Sequence, residues 1–242
     1  MTSRANPSEV LAAFAAHYKK YRDFKEVPIL ERLILLVIGR ETDPEKMDPV
    51  LDKLKSDFVD WNEVRLARID DIRNLISAAG VPDPESRGLR LRELLSKVFT
   101  ERHMLSAEFL RDEDNKENRA GFLAGLPGMD YPMVQALECS LQLEKNEFPL
   151  SNHAQRVGQR LNWFARGNAF TVTKAKKTME DIADGDLVNL TYAMVRVAED
   201  YCHSRSPNCP SCFLITLCPT GKKFGKEKDP NAKDEIEEER IN

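Results

Sequence analysis

Four of the five cysteines of this chain, Cys202, Cys209, Cys212 and Cys218, stand in the pattern Cys-x6-Cys-x2-Cys-x5-Cys. No other feature restricts the fold as strongly, because four thiols this close in sequence must share one small volume. The opening MTSRANPSEV lacks the basic-then-apolar layout of a secretory leader, so a reducing, cytoplasmic setting is expected and disulfides are the weaker reading. Four thiolates on one loop suit a metal. Each cancels cation charge, and the two-residue gap lets neighbouring sulfurs converge. Tetrahedral zinc takes such a set, and so does an iron–sulfur cluster. Spacing alone leaves both open. Cys139 lies outside the pattern and reads as a small buried thiol.

The rest of the chain is helical in its periodicity. With 242 residues, 41% of them hydrophobic, it can enclose one large or two small cores. No apolar run approaches the ~18 residues that would cross a bilayer. Pro7–Phe24 puts Val10, Leu11, Phe14 and Tyr18 on one stripe, and Val27–Gly39 is apolar nearly all round, which marks a central buried helix. Thr42 with Glu45 forms a potential capping box, and Asp43-Pro44 and Asp48-Pro49 are helix starts. Trp61–Ala79 repeats apolar residues at helical spacing up to Gly80. Gly88–Phe99, Asn118–Leu126, Pro132–Leu143, His153–Phe164 and Asp186–Tyr201 complete an all-α fold, without internal repeat or strand alternation. The acidic end, residues 227–242, reads as a disordered, solvating tail.

Leu126-Pro127-Gly128-Met129-Asp130-Tyr131 resembles the helix–hairpin–helix of the endonuclease III family, Leu-Pro-Gly-Val-Gly-Arg. Leu150-Ser151-Asn152-His153-Ala154-Gln155-Arg156-Val157 is similar to that family's Val-Asp-Thr-His-x-x-Arg-Val. Trp61–Gly80 resembles the helix pair of its first domain, and Met194–Cys202 the helix leading into its cysteine loop. The order of these matches, ending in the full cysteine pattern, carries the resemblance across roughly residues 10–220. It implies a 4Fe-4S cluster on Cys202, Cys209, Cys212 and Cys218. It implies two helical domains: a six-helix domain at 28–145 with its hairpin at 126–131, and a cluster domain of 1–27 with 146–226. Double-stranded DNA, damaged DNA included, would lie in a cleft between them.

The departures from that pattern bear on chemistry. Backbone amides at a Gly-containing turn before a helix bind phosphate without reading sequence. Leu126, Gly128 and Met129 keep the turn, but Asp130 replaces its second glycine and puts a carboxylate near the phosphate's place. The resemblance implies a Schiff-base lysine at the position of Pro132 and an assisting aspartate at that of Ser151, so both standard parts are missing. A carboxylate such as Asp130 or Glu138 is the alternative acid. Arg40 occupies the place of a glutamine that fills the gap left by a flipped base, either wedging or closing a helix end. His153 reads as a structural hydrogen-bonding histidine.

A net charge of −4 does not by itself suggest a nucleic-acid binder. Charge is segregated, however. From Phe148 to Met179 stand Arg156, Arg160, Arg166, Lys174, Lys176 and Lys177 with no acid, in a chain that holds 40, and Lys222, Lys223, Lys226 and Lys228 follow. Such a stretch builds a local positive field, and Arg156, Arg160 and Lys176 are its expected DNA contacts. Three functions stay in play. The favoured one is a monomeric, cluster-bearing DNA-binding protein linked to base-excision repair, without standard glycosylase or lyase chemistry, cytoplasmic (nucleoid-associated if bacterial). The others are an active glycosylase with a relocated acid, and a cluster-bearing interaction or redox protein that no longer binds DNA.

Overall fold

The structure is a computed structural model and describes residues 3–19, 27–42, 46–112, 116–144 and 150–227. Among these, every regular element is helical. In chain order they are α1 (Pro7–His17), α2 (Ile29–Gly39), α3 (Met47–Asp57), α4 (Trp61–Leu66), α5 (Ile69–Ala78), α6 (Pro84–Arg102), α7 (Lys116–Ala124), α8 (Tyr131–Leu143), α9 (Asn152–Arg160), α10 (Val172–Ala183), α11 (Leu187–Asp200) and α12 (Pro219–Glu227). No described helix is long and apolar enough to cross a membrane. The chain divides into two compact units, Met1–Tyr18 with Asn146–Asn242, and Lys19–Lys145.

The second unit is organised by α2. Its sequence is apolar nearly all round, so it must be enclosed; α3 and α6 pack on it, and α4 and α5 on α6. Ile29, Leu33, Ile34 and Ile38 are fully buried. Two charged residues of α2 are buried too, each with a partner. Glu31 accepts from Lys55 Nζ at 2.8 Å. Arg32, 1% exposed, donates from Nη1 to Glu144 at 2.7 Å and from Nε to the Val27 carbonyl at 3.0 Å. Glu144 also receives Arg111 Nε at 3.3 Å, and Glu108 accepts from the Ile29 amide at 2.8 Å. One ionic network therefore fastens the start of α2 to the end of α8. At the other end of α2, buried Arg87 donates to the carbonyls of Ile38 and Pro82, closing the helix terminus.

The first unit wraps α1 against the C-terminal helices. Before α1, the Ala5 amide donates to the Leu161 carbonyl and Trp163 Nε1 to the Ala5 carbonyl, both at 3.0 Å. At its end, the Tyr18 hydroxyl donates to Asp200 Oδ2 at 2.9 Å; burial first, then this bond, pushes the phenol pKa up. α9 and α10 pack on α11, and α12 on α9.

Trp61–Ala79 is a pair of helices, as the resemblance implied, broken where Ala67 and Arg68 take extended backbone. The new start places Asp70 and Asp71 in the first turn of α5, where the helix dipole favours them. α4 begins with two side-chain caps: Asp60 accepts from the Glu63 amide, and Glu63 accepts from the Val59 amide, one residue before the N-cap. α9 stops at Arg160 rather than Phe164, with Asn162 in the left-handed region at φ 56°. α10 and α12 were not anticipated, although Thr171, which caps α10 by accepting from the Lys174 amide, was a readable signal. Residues 20–26, Asp43-Pro44, Glu45, Lys228 and the acidic tail from residue 228 lie outside the described residues.

Candidate metal centre and hairpin

The cysteine loop begins where α11 ends, with the Cys202 amide donating to the Val197 carbonyl at 2.7 Å. A 3-10 turn over Cys209–Ser211 brings the Cys212 amide to the Cys209 carbonyl at 3.1 Å. The Cys218 amide closes on the Leu214 carbonyl at 2.7 Å, and Pro219 then opens α12, a position that needs no amide donor. All four cysteines line one cavity, with Val157, Leu161, Val197, Leu214 and Ile215 as its apolar walls. Burial pushes the Cys212 thiol up to about 11, and the other three cysteines add to the rise. Burial raises Cys218 as well. Among the described residues no group of three or more His, Cys, Asp or Glu side chains is arranged to hold a metal ion.

Two arginines of α9 grip this loop. Arg156 Nε donates to the Cys202 carbonyl at 2.8 Å. Arg160 Nη1 lies 3.0 Å from Cys202 Sγ and donates to the His203 carbonyl at 2.8 Å, while Nη2 donates to the Ser204 carbonyl at 3.1 Å. The Arg160 carbonyl accepts from Thr220 Oγ1 at 2.9 Å, beside Cys218. One residue thus brackets the first and last cysteines. Both arginines, expected as DNA contacts, engage carbonyls of the loop. Arg166 likewise donates to the Gln159 carbonyl at 2.9 Å. Lys176 pairs with Glu180 at 3.7 Å, and Lys174 and Lys177 are exposed.

An aromatic anchor that sequence reading missed ties the loop to α1. Phe213, next to Cys212, stacks on His17 at 4.0 Å and meets Phe14 edge-on at 6.3 Å. His17 Nε2 lies 3.1 Å from the Tyr201 hydroxyl, next to Cys202. The only available signal was an aromatic residue inside the cysteine pattern.

The hairpin joins α7 to α8. Gly128 has φ 84°, and a Cβ there would sit 2.8 Å from Val37 Cγ1, so the turn needs glycine for both conformation and space. Leu126 is buried, and the Met129 amide donates to its carbonyl at 3.2 Å. Asp130 is the N-cap of α8, accepting from the Met133 amide at 2.9 Å. Its other oxygen meets Arg40 Nη2 at 3.2 Å. Arg40 and Asp130, read separately as a DNA contact and a phosphate repeller, hold each other. Pro132 is buried in the first turn of α8. Ser151 caps α9, accepting from the Ala154 amide at 3.1 Å, and His153 Nε2 pairs with Glu199 at 2.8 Å.

Asp130 therefore has two separable jobs. Asp130→Asn is expected to keep the cap while removing the charge that holds Arg40. Asp130→Ala should lose the cap as well and cost about 1 kcal/mol of stability. Urea unfolding of the two variants checks this.

No protein-family model matches the chain. By sequence it is similar to DNA glycosylase/AP lyase ROS1 of Arabidopsis thaliana, 21% identical over 178 residues, covering 67% of this chain and 12% of that protein. Protein ROS1C of Oryza sativa subsp. japonica is 22% identical over 180 residues, covering 68% of this chain and 10% of that one. A second Arabidopsis thaliana protein with DNA glycosylase in its name is 23% identical over 139 residues, 57% of this chain and 46% of that one. The chain spans less than half the length of these relatives. Among solved structures, a trapped endonuclease III–DNA covalent intermediate aligns over 91% of this chain and 99% of that one, with TM-score 0.41 and 19% identity. A thermostable thymine-DNA glycosylase aligns over 90% and 95%, with TM-score 0.44 and 17% identity. By sequence, the chain is similar at 21–23% identity to these relatives, two of which carry DNA glycosylase in their names, and its cysteine and hairpin motifs resemble those of the endonuclease III family.

Proposed function

We propose that this chain is a cluster-bearing DNA-binding protein of glycosylase descent that engages duplex DNA without standard glycosylase or lyase chemistry. The observation that carries this reading is that both positions at which the resemblance implies chemistry have structural roles. Pro132 is buried at the start of α8, and Ser151 caps α9. An imine needs an amine, and no proline or hydroxyl supplies one. The hairpin turn keeps its first glycine, Gly128, in the left-handed conformation that the turn requires.

A 4Fe-4S cluster is the cofactor that fits the cysteines better than zinc. One zinc ion draws four sulfurs to ~2.3 Å of a single point. A four-iron cluster takes its four cysteines around a cage. All four thiols line one cavity, and their Cys-x6-Cys-x2-Cys-x5-Cys spacing resembles that of the endonuclease III cluster loop, which favours the cage. The N–H of Arg160 at Cys202 Sγ and the Gly221 amide 3.4 Å from Cys218 Sγ are donors of the kind that stabilise cluster sulfurs.

The test is an incision screen over duplexes with damaged bases, with alkali to reveal base loss. The expected result is salt-sensitive, weakly sequence-dependent binding and no product. Lesion-dependent product would favour the relocated acid, for which Glu138 is the candidate. It is half-buried on α8, receives Gln135 Nε2 at 3.2 Å, and burial raises its carboxyl pKa. A proton donor with a raised pKa loses activity as pH rises through that value, so such product would fall with pH and vanish in Glu138→Gln.

A further inference from the structure

Three arginines of the second unit stand near the hairpin. Arg40 is held by Asp130 at 3.2 Å. Arg87 is buried, donates to the carbonyls of Ile38 and Pro82, and faces the carboxylates of Asp83 and Glu41. Arg90 is different. It lies one turn along α6 from Arg87, close enough for its charge to lower the Arg87 pKa. Its Cδ is 3.5 Å from the place a Cβ would occupy on Gly128, so its aliphatic stem lies against the turn. It is only partly buried, and among the described residues it makes no hydrogen bond or ion pair.

A guanidinium offers five donors in a fixed fork that matches phosphate. Holding one against a glycine turn without a partner leaves its charge uncompensated, which an anion would relieve. A phosphate approaching the turn finds the α8 cap taken by Asp130 and the Arg40 charge already paired with it, whereas Arg90 carries no such countercharge. We propose that Arg90 is a phosphate-binding residue of this hairpin, taking a DNA backbone phosphate beside Gly128 in place of Arg40. This rests on duplex DNA being the ligand and names the side chain from α6 that receives it.

The test is a salt titration of full-length protein on random-sequence duplex, comparing Arg90→Gln with Arg68→Gln. Arg68 is an exposed arginine of the same unit, 3.6 Å from Asp70, and serves as the matched loss of charge. Arg90→Gln should weaken binding several-fold on every sequence and make the slope of log K against log salt shallower by about 1. Its melting temperature should change little, since no hydrogen bond or ion pair is lost and glutamine keeps most of the stem against the turn. Arg68→Gln should leave the slope alone, and Arg90→Lys should recover the slope with part of the affinity. An unchanged slope in Arg90→Gln, or an equal loss in Arg68→Gln, overturns the assignment while leaving DNA binding in place. Failure of the unmutated protein to retain duplex overturns both.

Discussion

Glu144→Ala is expected to destabilise the hairpin-bearing unit by about 3–5 kcal/mol. Arg32 is 1% exposed and lies 2.7 Å from Glu144, so the alanine variant removes a close countercharge from a buried guanidinium. Arg111 loses its 3.3 Å contact in the same step. Glu144→Gln keeps an acceptor and should cost less. Replacing the pair, as Arg32→Met with Glu144→Met, should recover most of the loss, because removing both charges also removes the desolvation cost of each. Urea unfolding midpoints read all three. A single alanine variant as stable as the unmutated protein would mean that the network has no energetic role.

Cys212→Ser is expected to give colourless protein, whereas the anaerobically purified parent should be yellow-brown with about four irons and four sulfides per chain. The effect should extend beyond colour. The loop from Cys202 to Cys218 is held by a few turn hydrogen bonds, by Arg156 and Arg160 and by the Phe213 anchor, and its cavity is lined by the thiols themselves. Where a metal group is bound in the folded state alone, its binding free energy becomes folding free energy. Loss of the cluster should therefore also lower the melting temperature of the first unit. Stoichiometric zinc without iron in the parent would end the cluster reading.

Much of this was legible in the chain, for identifiable reasons. α2 declares itself because its residues are apolar in nearly every direction, and only an enclosed helix tolerates that. The cysteine spacing and the Leu126-Pro127-Gly128 turn are local patterns that survive without knowledge of distant contacts. What escaped notice depends on residues far apart in sequence. Nothing near Arg156 or Arg160 announces that their partners are carbonyls of residues 202–204. Asp130 looks like a misplaced charge until Arg40 is seen beside it and the cap of α8 beneath it. Ser151 looks like a lost aspartate, but it caps α9 as an aspartate would. Ser151→Asp should consequently fold well. Pro132→Lys should not be neutral, because Pro132 is buried and a lysine there must extend its ammonium to solvent.

The most direct test of the account is borohydride treatment of the unmutated protein bound to a duplex with one abasic site, read on a denaturing gel beside a native one. The native gel should show a salt-sensitive complex, and the denaturing gel no covalent band, because Pro132 and Ser151 supply neither amine nor carboxylate to the sugar. A strong covalent band would contradict the account, since an amine elsewhere in the chain would then be forming the imine.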